Sequence, residues 1–156
     1  MIPSTRQRVP AHTSRSDNQA IQEGIKSSVA FHREHPDHIP ARLRELDREW
    51  DIERTLETNA AVVALAGTLL GVFYDRRFLA LPALVSVFLL QHALQGWCPP
   101  VPFFRRRGVR TATEIDRERY ALKLLRGDFD RAEDRLVGNR PSVAERAAAA
   151  LQAACA

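Results

Sequence analysis

The residues best suited to chemistry gather around Gly96-Trp97-Cys98-Pro99-Pro100. Gln91, Gln95 and Cys98 are spaced by four and three residues, which puts them on one face of a helix with His92 beside it. A thiol next to two amides and an imidazole could carry a persulfide, sense redox state or ligate a soft metal. The same position argues for a quieter role. Cys98 falls at a helix C-terminus, whose partial negative charge opposes a thiolate, and only the downstream arginines push the other way. A free cysteine also packs as a small hydrophobe. The only other cysteine, Cys155, lies 57 positions away, so the pair offers neither a disulfide framework nor a metal site.

A second cluster holds His32, His35 and His38 with Glu34 and Asp37, five potential ligands within seven residues. Pro36 interrupts any helix that would align the imidazoles, and exposed histidine patches bind metal adventitiously. No Gly-rich phosphate loop, nucleophile elbow, HExxH or paired-carboxylate arrangement is present. The sequence therefore names no catalytic residue, no metal and no cofactor, and a non-enzymatic protein is expected.

The elements that must position these residues follow from where the charge is missing. Lys and Arg against Asp and Glu number 9 and 10 in residues 1–59, 2 and 1 in residues 60–104, and 12 and 8 in residues 105–156. Thr58 to Tyr74 is 17 residues without a charge, and Phe78 to Phe104 is 27 more beyond Asp75-Arg76-Arg77. Helices of 17 and 20 residues reach about 26 and 30 Å, against a hydrocarbon thickness of about 30 Å. Two membrane spans are expected, at about 58–74 and 78–97, the first barely long enough. A buried helical hairpin in a soluble bundle is the alternative.

Without a hydrophobic drive between spans, small residues must let the backbones approach. Ala60, Ala64, Gly67 and Gly71 supply such a stripe on the first helix; Ala83, Ser86, Leu90 and Ala93 supply one on the second. An intrachain seam is expected, with a homo-oligomer contact as the alternative. Residues 40–58 carry four Lys and Arg, residues 99–118 carry five, and the turn carries two, which puts both termini in the cytoplasm. Trp97, Phe103 and Phe104 suit an interfacial belt, and Arg105, Arg106 and Arg107 a collar on anionic headgroups. With a net charge of only +4 and acids interspersed, a nucleic-acid partner is not expected.

The flanks are less patterned. Residues 1–40 read as a mobile tail lacking a secretory h-region, with a weak helix at Asn18 to His32 built on Ile21, Ile25 and Val29. Pro40 starts a solvated amphipathic helix, Ala41 to Leu56, with Leu43, Leu46 and Trp50 in its stripe. Thr111 to Glu114 fits a capping box opening a helix to about Arg126, stopped by Gly127. Asp128 to Val137 reads as a short helix. Ser142-Val143-Ala144-Glu145 caps a terminal alanine-rich helix with little to pack against. The expected divisions are 1–40, a juxtamembrane helix and hairpin at 41–110, and cytoplasmic helices at 111–156.

Trp50-Asp51-Ile52-Glu53-Arg54, Asn59, Gly67, Gly71, Gly96-Trp97-Cys98-Pro99-Pro100 and Gly108 together resemble the two-helix inner-membrane domain found behind the rhodanese module in YgaP-like proteins, over residues 50–110. Thr113 to Lys123 and Leu125 to Phe129 look like the tail of a stand-alone branch. The resemblance implies an inner-membrane hairpin associated with sulfur chemistry; no rhodanese cysteine loop accompanies it here. The expected fold is all-α, a two-helix transmembrane hairpin with amphipathic cytoplasmic helices on both sides. The expected function is a small integral membrane protein that is structural or binds a protein partner, the alternative being a membrane-tethered sulfur, persulfide or redox protein using Cys98.

Overall fold

The computed structural model describes residues 6–129 and 142–155, and helix is the only regular structure among them, with no strand. They form two compact units, each drawn from separate stretches of chain: residues 1–18 with 50–111, and residues 19–49 with 112–156. The expected divisions at 40 and 110 give way to this interleaving. The juxtamembrane helix in particular is split by an extended Glu49 (ψ 133°) into α3 (Ile39–Arg48), which belongs to the second unit, and α4 (Ile52–Phe73), which belongs to the first.

In the first unit, Asp51 opens α4 by accepting a 2.8 Å hydrogen bond from the Arg54 amide. The Arg110 carbonyl accepts from the Ile52 amide at 2.8 Å, satisfying another donor of that first turn. Trp50 leaves the expected stripe and lies exposed under the Arg54 guanidinium, 4.3 Å from its ring centroid. α4 ends at the Tyr74-Asp75 turn, where Asp75 accepts from the Arg77 amide at 2.8 Å, and a 3₁₀ turn (Arg76–Leu79) leads into α5 (Ala80–Gln95). The expected lengths are thereby reversed: α4 has 22 residues and α5 has 16. The first helix gains its length from the polar turn before Thr58, the second loses some to the 3₁₀ turn.

α4 and α5 pack along Gly67 and Gly71, both buried. A Cβ on Gly67 would stand 2.8 Å from Pro82 Cδ and 3.0 Å from Leu81 Cβ, and one on Gly71 would stand 2.5 Å from Leu79 Cδ2. Ala60 and Ala64 are half-buried on the same side. On α5, however, Ala83, Ser86, Leu90 and Ala93 are exposed, and Pro82, Val85, Phe88, Leu89 and His92 are the more covered residues. Smallness on one helix suffices, because the glycines already admit the bulkier side chains of the other. Two hydroxyls along these helices are satisfied within their own helix: Thr68 Oγ1 donates to the Ala64 carbonyl and Ser86 Oγ to the Pro82 carbonyl, each at 2.8 Å.

The tail expected before Asn18 is replaced by α1 (Arg8–Ala11) and the start of α2 (Arg15–Glu34). Val9 is buried with Ile52, Leu56, Cys98 and Val101. Beyond α5, α6 (Val101–Arg106) closes this cluster, with Phe88, Phe104 and Val109 at its edge.

The second unit has two apolar clusters. Ile39, Leu43 and Leu46 of α3 meet Ile115 and Leu122 of α7 (Ala112–Arg126). Ile21, Ile25 and Val29 of α2 meet Ala121 and, on α8 (Val143–Cys155), Ala150. The alanine-rich helix therefore does have partners, since a surface of Cβ atoms accepts a close neighbour. Ser142 and Glu145 form its expected capping box, with amide-to-side-chain distances of 3.2 and 2.6 Å. Gly127, at φ 83°, ends α7 with its amide on the Lys123 carbonyl. The short helix expected at Asp128 to Val137 falls mostly outside the described residues.

Candidate functional site

A cavity of about 250 Å³ lies within the first unit, between α4, α5 and α6. Leu56, Ala60, Val63, Phe88, Leu89 and Phe104 contribute apolar walls, and His92 and Cys98 reach it together. The exposed Asn59 and Val63 stand at its rim. The Asn59 amide donates back to the Thr55 carbonyl at 2.7 Å. Of the four residues expected to group here, the thiol included, the structure thus brings His92 and Cys98 to one space. Gln91 and Gln95 are not among its walls, and Gln95 is exposed. The reason is that α5 stops at Gln95, and the chain turns at Gly96 before it reaches Cys98.

That turn is fixed twice. Gly96 has φ 78°, a left-handed conformation that favours glycine, and a Cβ there would stand 2.5 Å from the backbone carbon of Arg8. Arg8 lies over the end of α5, its guanidinium donating to the Ala93 carbonyl at 3.1 Å and pairing with Glu53 at 3.6 Å. A cation at a helix C-terminus is favourably placed. Sequence patterning missed this contact, for which Val9 is the one apolar signal in an otherwise polar stretch.

His92 is 5% exposed, and neither of its ring nitrogens finds a hydrogen-bond partner among the described residues. Leaving such a group unpaired costs about 1 to 3 kcal/mol. Cys98 is buried as well, and burial pushes its thiol above the usual range, so the thiol stays protonated at neutral pH. The side chain of Cys155 lies outside the described residues.

The arginine collar is not uniform. Arg105 is 1% exposed: its guanidinium donates to the Val109 carbonyl at 3.1 Å and to Asn18 Oδ1 at 2.9 Å. It serves as an internal strut rather than a headgroup ligand, because α6 turns it inward. Arg106 and Arg107 are exposed, with Arg107 over the Phe103 ring at 4.2 Å.

The second unit holds a buried polar cluster that periodicity did not reveal. Glu118 is fully buried on α7. Arg42 donates to its two oxygens at 2.8 and 3.2 Å, and Ser28 Oγ donates at 2.6 Å. The Glu118 carboxylate raises the Arg42 pKa further above its already high value. Among the histidines, His32 is buried with Nδ1 2.7 Å from the Ser28 carbonyl, and His35 stacks on Phe31 with centroids 4.5 Å apart. No three His, Cys, Asp or Glu side chains converge to hold a metal among the described residues.

Comparison of the chain with protein-family models, with curated proteins and with solved structures finds no match.

Proposed function

We propose that this chain is a small integral membrane protein, a two-helix hairpin that carries a helical unit on the cytoplasmic side and acts as a structural or partner-binding element without catalysis. One observation carries the reading. α4, and α5 taken together with the 3₁₀ turn before it (Arg76–Gln95), are long and apolar enough to cross a bilayer, yet only 17% and 6% of their apolar stretches are buried. Val62, Leu65, Val72, Leu84, Val87, Leu90 and Leu94 are all exposed. A core helix of a soluble bundle would cover such residues, and an exposed apolar surface of this extent needs another solvent or partner.

Connectivity supports the topology. The second unit combines residues 19–49 with residues 112–156, which supports a chain that enters and leaves the hairpin on one side of the bilayer. The excess of Lys and Arg flanking the hairpin favours the cytoplasm for that side. The likeness to the YgaP-like membrane domain fits the same arrangement. The sulfur-carrier alternative gains the proximity of His92 but loses an activated thiol, since Cys98 is buried and protonated.

Carbonate extraction of membranes containing the full chain should leave the protein in the pellet. Release into the supernatant would refute the hairpin reading. A reporter active only outside the cytoplasm should be silent when fused to either terminus, and activity at both would reverse the orientation.

A further inference from the structure

The net positive charge of the chain belongs to one unit. Residues 1–18 and 50–111 carry ten Lys and Arg against five Asp and Glu, whereas residues 19–49 and 112–156 carry thirteen against fourteen. Within the first unit two arginines are held in the same way. Arg54 lies over the exposed Trp50 ring at 4.3 Å, and Arg107 lies over the exposed Phe103 ring at 4.2 Å. The 2.8 Å hydrogen bond from the Ile52 amide to the Arg110 carbonyl joins the two stretches that carry these pairs at one end of the hairpin. A guanidinium stacked on a ring engages only its face there and keeps its in-plane N–H donors for the oxygens of a phosphate. Neither guanidinium has a carboxylate or carbonyl partner among the described residues. Of the nearby acids, Glu53 pairs with Arg8 and Asp51 caps α4, which leaves Glu57 exposed against Arg54, Arg106 and Arg107.

We propose that these two arginine-on-ring pairs, with Arg106 beside them, form a docking surface for anionic phospholipid at the cytoplasmic end of the hairpin. Their place along the chain selects a lipid as the source of the phosphate. Arg54 lies one helical turn before the charge-free stretch that begins at Thr58, and Phe103 and Arg107 bracket the end of the other at Phe104. The exposed rings thus border the apolar faces of α4 and α5, and the guanidiniums above them meet the headgroups. Arg105, buried on Asn18 and the Val109 carbonyl, takes no part, and Arg54 stands in its place. The proposal rests on the membrane reading above.

The test reconstitutes the purified full chain into phosphatidylcholine vesicles containing a trace of spin-labelled phosphatidylglycerol or, for comparison, spin-labelled phosphatidylcholine. Electron paramagnetic resonance reads the fraction of each lipid slowed against the protein. Phosphatidylglycerol is expected to associate roughly fivefold more strongly, the effect of about one well-placed arginine near the headgroups. Arg54→Gln combined with Arg107→Gln should bring the ratio close to one. Trp50→Leu combined with Phe103→Leu keeps both charges, removes both rings, and should lose most of the preference. Arg76→Gln with Arg77→Gln, at the opposite turn, should retain it. Equal association of the two lipids with the unaltered chain would overturn the proposal and leave the hairpin standing, whereas no slowed lipid of either kind would refute the membrane reading and the proposal with it. A preference that survives loss of the rings would overturn it in favour of diffuse attraction to a charged surface. One abolished by inorganic phosphate at constant ionic strength would overturn it in favour of a free-anion site.

Discussion

Two buried charged side chains separate residues that hold the protein together from residues that only decorate it. Glu118 has no exposure and receives Arg42 and Ser28, whereas Glu45, which also meets Arg42 at 2.9 Å, is largely exposed. Glu118→Ala strands Arg42 beside an apolar gap and should cost about 3 kcal/mol, at the low end for a broken buried pair because Arg42 keeps Glu45. Glu45→Ala should cost about 0 to 1 kcal/mol. Arg105→Met should cost about 2 kcal/mol, while Arg107→Met, on the surface, should stay within about 0.5 kcal/mol. Urea or thermal unfolding followed by circular dichroism in detergent ranks all four. Cys98 provides a pH test. Its thiol lies above the ordinary 9.0 because burial disfavours the anion, so the native state binds this proton more tightly than the unfolded chain does. The resulting stability is complete below pH 9 and lost as pH rises through the native value. Alkylation of Cys98 should accordingly still be accelerating at pH 9, and a plateau near pH 7 would show an activated thiolate instead.

At the scale of elements, the helix ends that local chemistry defines were legible: Gly127 closing α7, Ser142 and Glu145 capping α8, Asp75 turning the chain between α4 and α5. So were the glycines of α4, since a stripe of small residues at helical spacing has few other uses in an apolar helix. The matching stripe on α5 was not informative. Which face of α5 meets α4 depends on where the 3₁₀ turn releases the helix, and that turn rotates Pro82 and Val85 inward while Ala83 and Ser86 stay outside. Likewise, Arg8, Arg42, Arg105 and Glu118 read as surface charges, because their partners are tertiary and lie far along the chain. The packing makes an ordered prediction. Gly67→Ala meets the rigid Pro82 ring at 2.8 Å, and Gly71→Ala meets Leu79 at Cδ2 and Cγ, 2.5 and 2.6 Å away, and at its backbone nitrogen, 3.1 Å away. Gly67→Ala and Gly71→Ala should each cost about 1 to 3 kcal/mol, and Val62→Leu, on the exposed face, nearly nothing. Equal stability for all three in detergent would refute the seam; loss of an oligomer with the monomer intact would make it intermolecular.

For the molecule as a whole, the two units are intertwined in sequence, each waiting on a stretch of chain that follows the other. Ending the chain after Thr111 leaves residues 1–18 and 50–111 complete but strips α2 and α3 of α7 and α8. Limited proteolysis of that truncated chain should cut within residues 19–49 while sparing α4 and α5. Protection of residues 19–49 would show that α2 and α3 fold without their partners. The same interleaving has a consequence in time. Ribosomes deliver about 5 to 20 residues per second, so the final 45 residues emerge about 2 to 9 s after the hairpin is finished. Throughout that interval Ile21, Ile25, Val29, Leu43 and Leu46 face water with no counterpart yet made, and a nascent chain in this state is a client for a chaperone and a target for a protease. The rate of translation through the last helices thus becomes a determinant of yield, and slow codons after position 111 should lower the amount of intact protein where slow codons before position 50 do not.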